Sequence, residues 1–148
     1  SGQLDTTMFG PGTLDESHRR RSIYFMIKRS RLIPIMQVFD QPEPLVSQGS
    51  RPSTTIAPQA LLFMNNPQLV KWARGLAENL DANQPDEAIR QLYLRTLTRE
   101  PTPTDLTNSR AFFDSQSTSY SKDKNAVQLA LADLCQVMLS LNEFIYLP

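Results

Sequence analysis

Apolar side chains recur at helical spacing along the part of the chain that follows Pro58. The clearest stripe lies near the C-terminus, at intervals of four, three, four and three residues, and consists of Val127, Leu131, Leu134, Met138 and Leu141. This spacing places the side chains on one face of a helix. The pattern predicts an amphipathic helix that begins near Asn125.

Prolines and capping residues predict where other helices begin. Asn66 precedes Pro67, which pairs an N-cap side chain with a proline in the first turn. Thr102 and Asp105 have the spacing of a capping box. Two further apolar faces follow helix starts at Pro67 and Pro85, and they consist of Leu69, Ala73, Leu76 and Leu80, and of Ile89, Leu92, Tyr93 and Leu97. Together these signals predict a mainly α fold, a bundle of about four to five helices.

The N-terminal third is irregular by comparison. Residues 1–17 are polar and interrupted by glycine and proline, which predicts a flexible arm or linker before a single helical domain over 18–148. Residues 22–27 alternate in polarity, so a short strand is one interpretation and a short helix is the other. Pro34 begins a short helix, and residues 40–57 form a long irregular loop that suits an interaction role.

The helix that opens at Pro58 carries an almost continuous apolar run from Ala60 to Met64. A helix that is apolar all round is typically surrounded by other elements. We therefore expect this helix to be fully buried.

Composition excludes several classes of protein. The 148 residues are 40% hydrophobic and 20% charged, which is ordinary for a globular domain. One cysteine and one histidine exclude an internal disulfide, a multi-histidine metal centre and a c-type haem attachment motif. No apolar run approaches the ~18 residues of a membrane span. We expect no metal site and no cofactor in this chain.

Two residues carry side chains that serve as catalytic groups in other proteins. Cys135 lies within the last apolar stripe, so we expect a buried thiol rather than a nucleophile. His18 lies in a polar stretch followed by three arginines, where we expect a solvated loop histidine rather than a catalytic one. The residues identify no catalytic set, and a chain without catalytic activity of its own is the favoured interpretation.

Positive charge is concentrated in the first half of the chain although the formal net charge is zero. The candidate binding residues are Arg19, Arg20, Arg21, Lys28, Arg29, Arg31 and Arg51. Such a cluster either attracts an acidic partner or neutralises the acidic half of the same fold. We expect paired, structural side chains at Arg20 and Arg21, and free side chains that serve as a docking surface at Arg29 and Arg31. A balanced net charge argues against a dedicated nucleic-acid binder.

Several short segments together resemble a planctomycete-type domain family of unknown function, specifically its C-terminal part. They are residues 20–24, 39–40, 54–61, 65–67, 92–97, 99, 101–102, 131–136 and 142–146. The resemblance implies a larger exported protein whose upstream domains often include a cytochrome-c-like domain, so any haem would be held elsewhere in that protein. It implies an extracytoplasmic location, and the missing initiator methionine is consistent with a piece of a longer chain.

The resemblance brings no established activity, so three functions are considered. The preferred one is a non-catalytic helical interaction module at the C-terminus of the larger protein, in contact with its upstream domains. The second is part of an enzyme whose active site those domains complete. The third is a binder of acidic, sulfated glycans through the basic segment 19–31.

Overall fold

The computed structural model of the protein describes residues 2–42, 49 and 57–146. Within these residues seven α-helices account for the regular structure, and five of them are longer than two turns. Their bounds are Pro34–Val38 (α1), Ala57–Asn65 (α2), Pro67–Ala77 (α3), Pro85–Leu97 (α4), Pro103–Ser119 (α5), Ala126–Leu139 (α6) and Asn142–Ile145 (α7). The prediction of a mainly α fold with about four to five helices is confirmed at this level. Most of the predicted loop at about 40–57 lies outside the described residues, and so does Arg51.

The described chain divides into two units, and the first comprises residues 3–62. Where a strand over 22–27 was one of two alternatives, Ser22–Tyr24 form a single turn of 3₁₀-helix. Phe25 then makes an isolated bridge to Thr13, and no strand occurs among the described residues. A segment with alternating polarity forms a strand only if a neighbouring strand pairs with it along its length. Within residues 22–27 only Phe25 is paired in this way, with Thr13.

The second unit, from Phe63 onward, contains the helical core. Helix α6 contacts α3, α4, α5 and α7. Its side chains meet those of α4 at the centre, where Ile89, Leu92 and Leu131 are completely buried. The apolar faces predicted for α3, α4 and α6 therefore form the core, with one exception. Val127 is exposed because it lies in the first turn of α6, before the packed stretch that begins at Ala130.

The predicted helix starts are confirmed in detail. The Asn66 side chain accepts a hydrogen bond from the Gln68 N–H at 2.8 Å. Thr102 and Asp105 form the reciprocal capping box, with bonds of 3.2 Å and 3.0 Å. These contacts satisfy N–H groups that the first turn of a helix leaves unpaired.

The prediction that α2 is fully buried is wrong. Leu61 is 55% exposed and Met64 is 62% exposed, whereas the buried side chain of this helix is that of Gln59. The Gln59 amide donates a hydrogen bond to the Val38 carbonyl at 2.9 Å, which explains how a polar side chain is accommodated. Apolar composition alone does not bury a helix; neighbouring elements must surround it.

Candidate functional site

The basic segment lies beside a second stretch of chain in the first unit. Thr13 donates its N–H to the Tyr24 carbonyl at 3.0 Å and accepts from the Met26 N–H at 2.8 Å. Gly12 permits this approach, because a Cβ at that position would lie 3.3 Å from both Met26 Cβ and the Tyr24 carbonyl oxygen. The two segments are thereby held in register over this short contact.

Arg20 lies at the centre of this arrangement and is committed to it. Its guanidinium donates to the carbonyl oxygens of Thr7 and Pro11, each at 3.3 Å, and to that of Phe9. Its Cζ lies 3.4 Å from the centre of the Tyr24 ring, a cation–π contact. The structural role predicted for Arg20 is therefore found, although its partners are main-chain oxygens rather than carboxylates.

We call residues 7–11, three of whose carbonyls accept hydrogen bonds from Arg20, the display loop. The Phe9 N–H donates to the Tyr24 hydroxyl at 3.3 Å, so its main chain is held on both sides. Phe9 adopts φ of 67°, a left-handed conformation that is strained for a residue with a large side chain. Its side chain is 84% exposed, and that of Met8 is also exposed. The main chain of Phe9 is thus held by Arg20 and Tyr24, while the large apolar side chains of Met8 and Phe9 are exposed to solvent.

The other cations of the basic segment have a different environment from Arg20. The side chains of Arg19, Arg21, Lys28, Arg29 and Arg31 are exposed, and none forms a hydrogen bond or ion pair among the described residues. We call these five side chains the free cations. Arg29 and Arg31 are exposed, as a docking role requires, and their part in binding stays a prediction. No partner of the kind expected for a structural Arg21 is found among the described residues.

A turn brings three of the free cations together. The Arg31 N–H donates to the Lys28 carbonyl at 3.2 Å, which closes residues 28–31 into a four-residue turn. A β-turn brings its first and last Cα atoms within ~7 Å of each other. Lys28, Arg29 and Arg31 therefore concentrate positive charge in a small volume.

Large apolar side chains are interspersed with these cations. Ile23 is 82% exposed, and Ile27, which directly precedes the turn, is exposed as well. The sequence interpretation overlooked both the display loop and these isoleucines. The signal for the loop was present in Gly10-Pro11-Gly12, a cluster that forces a compact bend.

His18 is placed as a structural residue. Its Nδ1 accepts a hydrogen bond from the Arg20 N–H at 3.0 Å, and its ring centre lies 4.4 Å from that of Phe25. An Nδ1 that accepts a hydrogen bond places the proton of the neutral imidazole on Nε2. The ring in this state has no free lone pair with which to act as a general base.

Cys135 is completely buried in α6, as predicted. Burial raises the pKa of its thiol to about 12. The thiolate needed for nucleophilic chemistry is therefore strongly disfavoured.

The C-terminal unit contains a shallow cleft of about 460 Å³ beside α6. Its lining is mainly apolar, and its polar groups are already engaged. Asp133 accepts a hydrogen bond from the Tyr120 hydroxyl at 2.9 Å, which raises the tyrosine's pKa, and Ser140 donates its hydroxyl to the Gln136 carbonyl at 2.8 Å. The cleft does not bring a nucleophile and a base together among the described side chains.

The C-terminal unit contains ion pairs both within α5 and between its segments. Arg99 pairs with Asp105 at 2.8 Å and with Glu143 at 2.6 Å. Arg110 pairs with Asp86 at 2.9 Å and with Asp114 at 3.1 Å. These pairings raise the pKa of both arginines and neutralise part of the acidic half.

In the described ranges, no group of three or more His, Cys, Asp or Glu residues is placed to hold a metal ion. No helix there combines the length and apolar character that crossing a bilayer requires.

A comparison with protein-family models matched residues 1–113 to PSD1, described as a protein of unknown function (DUF1553). Comparisons with curated proteins and with solved structures returned no match. The predicted resemblance to a family of unknown function is confirmed. The planctomycete origin and the cytochrome-c context stay predictions.

Proposed function

Because this chain belongs to the PSD1 (DUF1553) family of proteins of unknown function, we propose a function from its own residues. It is a non-catalytic interaction module that binds an anionic partner through the free cations of residues 19–31. The larger protein would be exported, so the interaction would take place outside the cytoplasm.

One observation carries this proposal: among the described residues, five exposed cations of the basic segment form no hydrogen bond or ion pair, whereas the neighbouring Arg20 guanidinium donates to three carbonyls. If the cluster only neutralised acids of its own unit, these side chains would be paired as Arg99 and Arg110 are. Clustered exposed charges instead create a potential that attracts an oppositely charged partner. The turn at residues 28–31 is where this potential is most concentrated.

The non-catalytic part of the proposal is supported by the state of the chain's reactive groups. His18 uses its Nδ1 lone pair on a main-chain N–H, and the Cys135 thiol is buried with a raised pKa. An enzyme completed by upstream domains would need catalytic groups presented at a surface, and neither group is presented in this way.

Two kinds of anionic partner are candidates, the first implied by the sequence resemblance and the second by the cluster of basic residues itself. One is an acidic face on an upstream domain of the same polypeptide. The other is a sulfated glycan, which the three closely spaced cations of the 28–31 turn favour because sulfate groups recur at short intervals along such chains. The protein would hold either partner mainly by charge attraction, so we expect its binding to either partner to weaken as salt is added.

The proposal is tested by titrating the 148-residue protein with heparin, used as a general polyanion, at low and at physiological ionic strength. We expect binding at low salt that weakens steeply at the higher salt. The double variant Arg29→Ser/Arg31→Ser should bind at least several-fold more weakly, because exposed charges near a polyanion contribute individually to attraction.

The matched control is Lys122→Ser/Lys124→Ser, which removes two exposed cations from the loop between α5 and α6. It carries the same change in net charge and should bind almost as the unmodified protein does. Absence of binding at low salt, or equal weakening by both double variants, would refute a role for the basic segment.

A further inference from the structure

We infer that the anionic partner is the surface of a lipid bilayer, and that Met8 and Phe9 of the display loop enter its interfacial region. This inference rests on the proposed function, because the free cations supply the attraction that brings the surface close. Insertion of Met8 and Phe9 adds an apolar contribution to the binding free energy, which binding to a soluble polyanion would lack.

The construction of the display loop is the first argument. The Arg20 guanidinium gathers the carbonyls of Thr7, Phe9 and Pro11, and the Tyr24 hydroxyl accepts from the Phe9 N–H. The Phe9 main chain is thus hydrogen-bonded at both its N–H and its carbonyl, whereas its side chain and that of Met8 are left exposed. Satisfied main-chain groups at Phe9 lower the cost of moving this residue into an apolar phase.

The strain at Phe9 is the second argument. A phenylalanine with φ of 67° is in a conformation that glycine or asparagine adopts more readily. The side chain gains nothing from burial in exchange, because 84% of the residue is exposed. Strained residues held by their surroundings are concentrated at functional positions. Presentation of the ring to an external apolar phase accounts for both the strain and the exposure.

The mixture of side chains around the loop is the third argument. Ile23 and Ile27 are exposed on either side of Tyr24, the residue on which Arg20 stacks. The free cations lie at neighbouring sequence positions, before and after these isoleucines. Apolar side chains combined with Lys and Arg are the composition of segments that lie in a membrane interface, where the cations face anionic headgroups.

A bilayer fits this pattern better than the two alternative partners do. A sulfated glycan offers charge but no apolar phase for Phe9, Ile23 and Ile27. A protein partner would have to provide separate pockets that match several isolated protrusions. A fluid interface accepts such protrusions wherever they lie, and anionic headgroups complement the free cations.

The test is co-sedimentation of the 148-residue protein with vesicles of phosphatidylcholine mixed with phosphatidylglycerol, and with vesicles of phosphatidylcholine alone. We expect binding to the mixed vesicles that weakens with salt, and little binding to the neutral ones. Phe9→Asn should weaken binding to the mixed vesicles by about tenfold or more, the scale expected for removing one buried aromatic side chain. Asparagine tolerates the left-handed conformation, so the loop should keep its shape.

The matched control is Leu94→Gln, which removes an exposed apolar side chain from α4 in the other unit. It should bind the mixed vesicles as the unmodified protein does. Met8→Ser provides a second variant of the display loop, with an unstrained position, and should weaken binding in the same direction as Phe9→Asn. Equal weakening by Phe9→Asn and Leu94→Gln would overturn the assignment of the display loop.

Other outcomes separate this inference from the proposed function. Binding to heparin without binding to the mixed vesicles would overturn the bilayer and leave the anionic-partner proposal standing. Binding to poly-glutamate without binding to the vesicles would overturn the bilayer in favour of an acidic polypeptide. Binding to neither vesicles nor heparin would refute both proposals.

Discussion

Neighbouring arginines in this chain have opposite roles, and the difference lies in what each guanidinium reaches. Arg20 contacts three carbonyl oxygens and the Tyr24 ring, whereas the adjacent Arg21 side chain is exposed and unpartnered among the described residues. A hydrogen bond from a charged donor contributes more to stability than a neutral one. The two positions therefore form a natural pair for comparing a structural arginine with an exposed one.

We predict that Arg20→Met destabilises the folded display loop by about 1.5–3 kcal/mol, the range for hydrogen bonds to charged groups. Arg21→Met should change it by less than ~0.5 kcal/mol, as ordinary surface substitutions do. The measurement is hydrogen exchange at the Met26 amide, which bonds to the Thr13 carbonyl beside the loop. Equal protection of Met26 in the two variants would show that the guanidinium does not hold this region.

At the scale of elements, Arg99 ties three segments together. It donates to both carboxylate oxygens of Glu143 at the start of α7, and to Asp105 in the first turn of α5. These hydrogen bonds hold the pKa of Glu143 below its ordinary value of 4.5 and help hold that of Asp105 below its ordinary value of 3.8. The short helix α7 is thereby fastened by charge as well as by contacts with α4 and α6.

The lowered carboxyl pKa values predict an acid-sensitive junction. The unfolded chain takes up protons at these two groups before the folded chain does, so their stabilisation is complete above the ordinary values of 4.5 and 3.8 and is lost as the pH falls through the lowered ones. Melting temperatures measured from about pH 7 to about pH 3 should fall less steeply for Arg99→Met than for the unmodified protein. Arg90→Met, at an exposed arginine of α4, should retain the original pH dependence; the same flattening there would contradict the assignment to Arg99.

The core face of α6 gives a second prediction at this scale. Leu134 is buried within the helix that contacts most of the others, whereas Val127 on the same helix is exposed. Leu134→Ala should lower the free energy of unfolding by about 2–5 kcal/mol, as large-to-small core substitutions do. Val127→Ala should change it by less than ~0.5 kcal/mol. Urea denaturation followed by circular dichroism measures both, and a small effect at Leu134 would mean that this face is not packed.

The elements that sequence predicts well here are those determined by neighbours along the chain. The Asn66 cap and the Thr102–Asp105 capping box need only residues within one helical turn, so their spacing is sufficient to predict them. The burial of α2 and of Val127 depends on which elements surround them, and periodicity carries no such information. The display loop escaped prediction for the same reason, because Arg20 holds carbonyls that are nine to thirteen residues away.

At the scale of the whole molecule, main-chain hydrogen bonds and buried side chains are distributed unevenly. The helices from α3 to α6 carry the extended core, whereas residues 7–26 are held by isolated main-chain bonds and by the Arg20 contacts. Local stability follows the density of such buried contacts. The chain thus combines a well-packed helical unit with a segment, residues 7–26, whose described contacts are local and specific.

We predict that hydrogen exchange separates these two parts of the chain. Amides of α4 and α6 should exchange slowest, because Ile89, Leu92 and Leu131 are completely buried at their interface. Amides of residues 7–26 should exchange measurably faster, with Thr13 and Met26 the most protected among them. Peptide-resolved mass spectrometry makes this comparison in one experiment, and uniform protection along the chain would contradict it.

The buried thiol of Cys135 makes the molecule its own unfolding reporter. A sulfhydryl with a pKa of about 12 and no exposure reacts negligibly with alkylating reagents while the helices are packed, and becomes an ordinary thiol once they separate. Since the chain has one cysteine, each molecule can be labelled once only, and the label marks an opening of the C-terminal unit. The rate at which iodoacetamide modifies the native protein therefore reports the population of such open states when the helices reclose faster than the reagent reacts, and it needs no introduced probe.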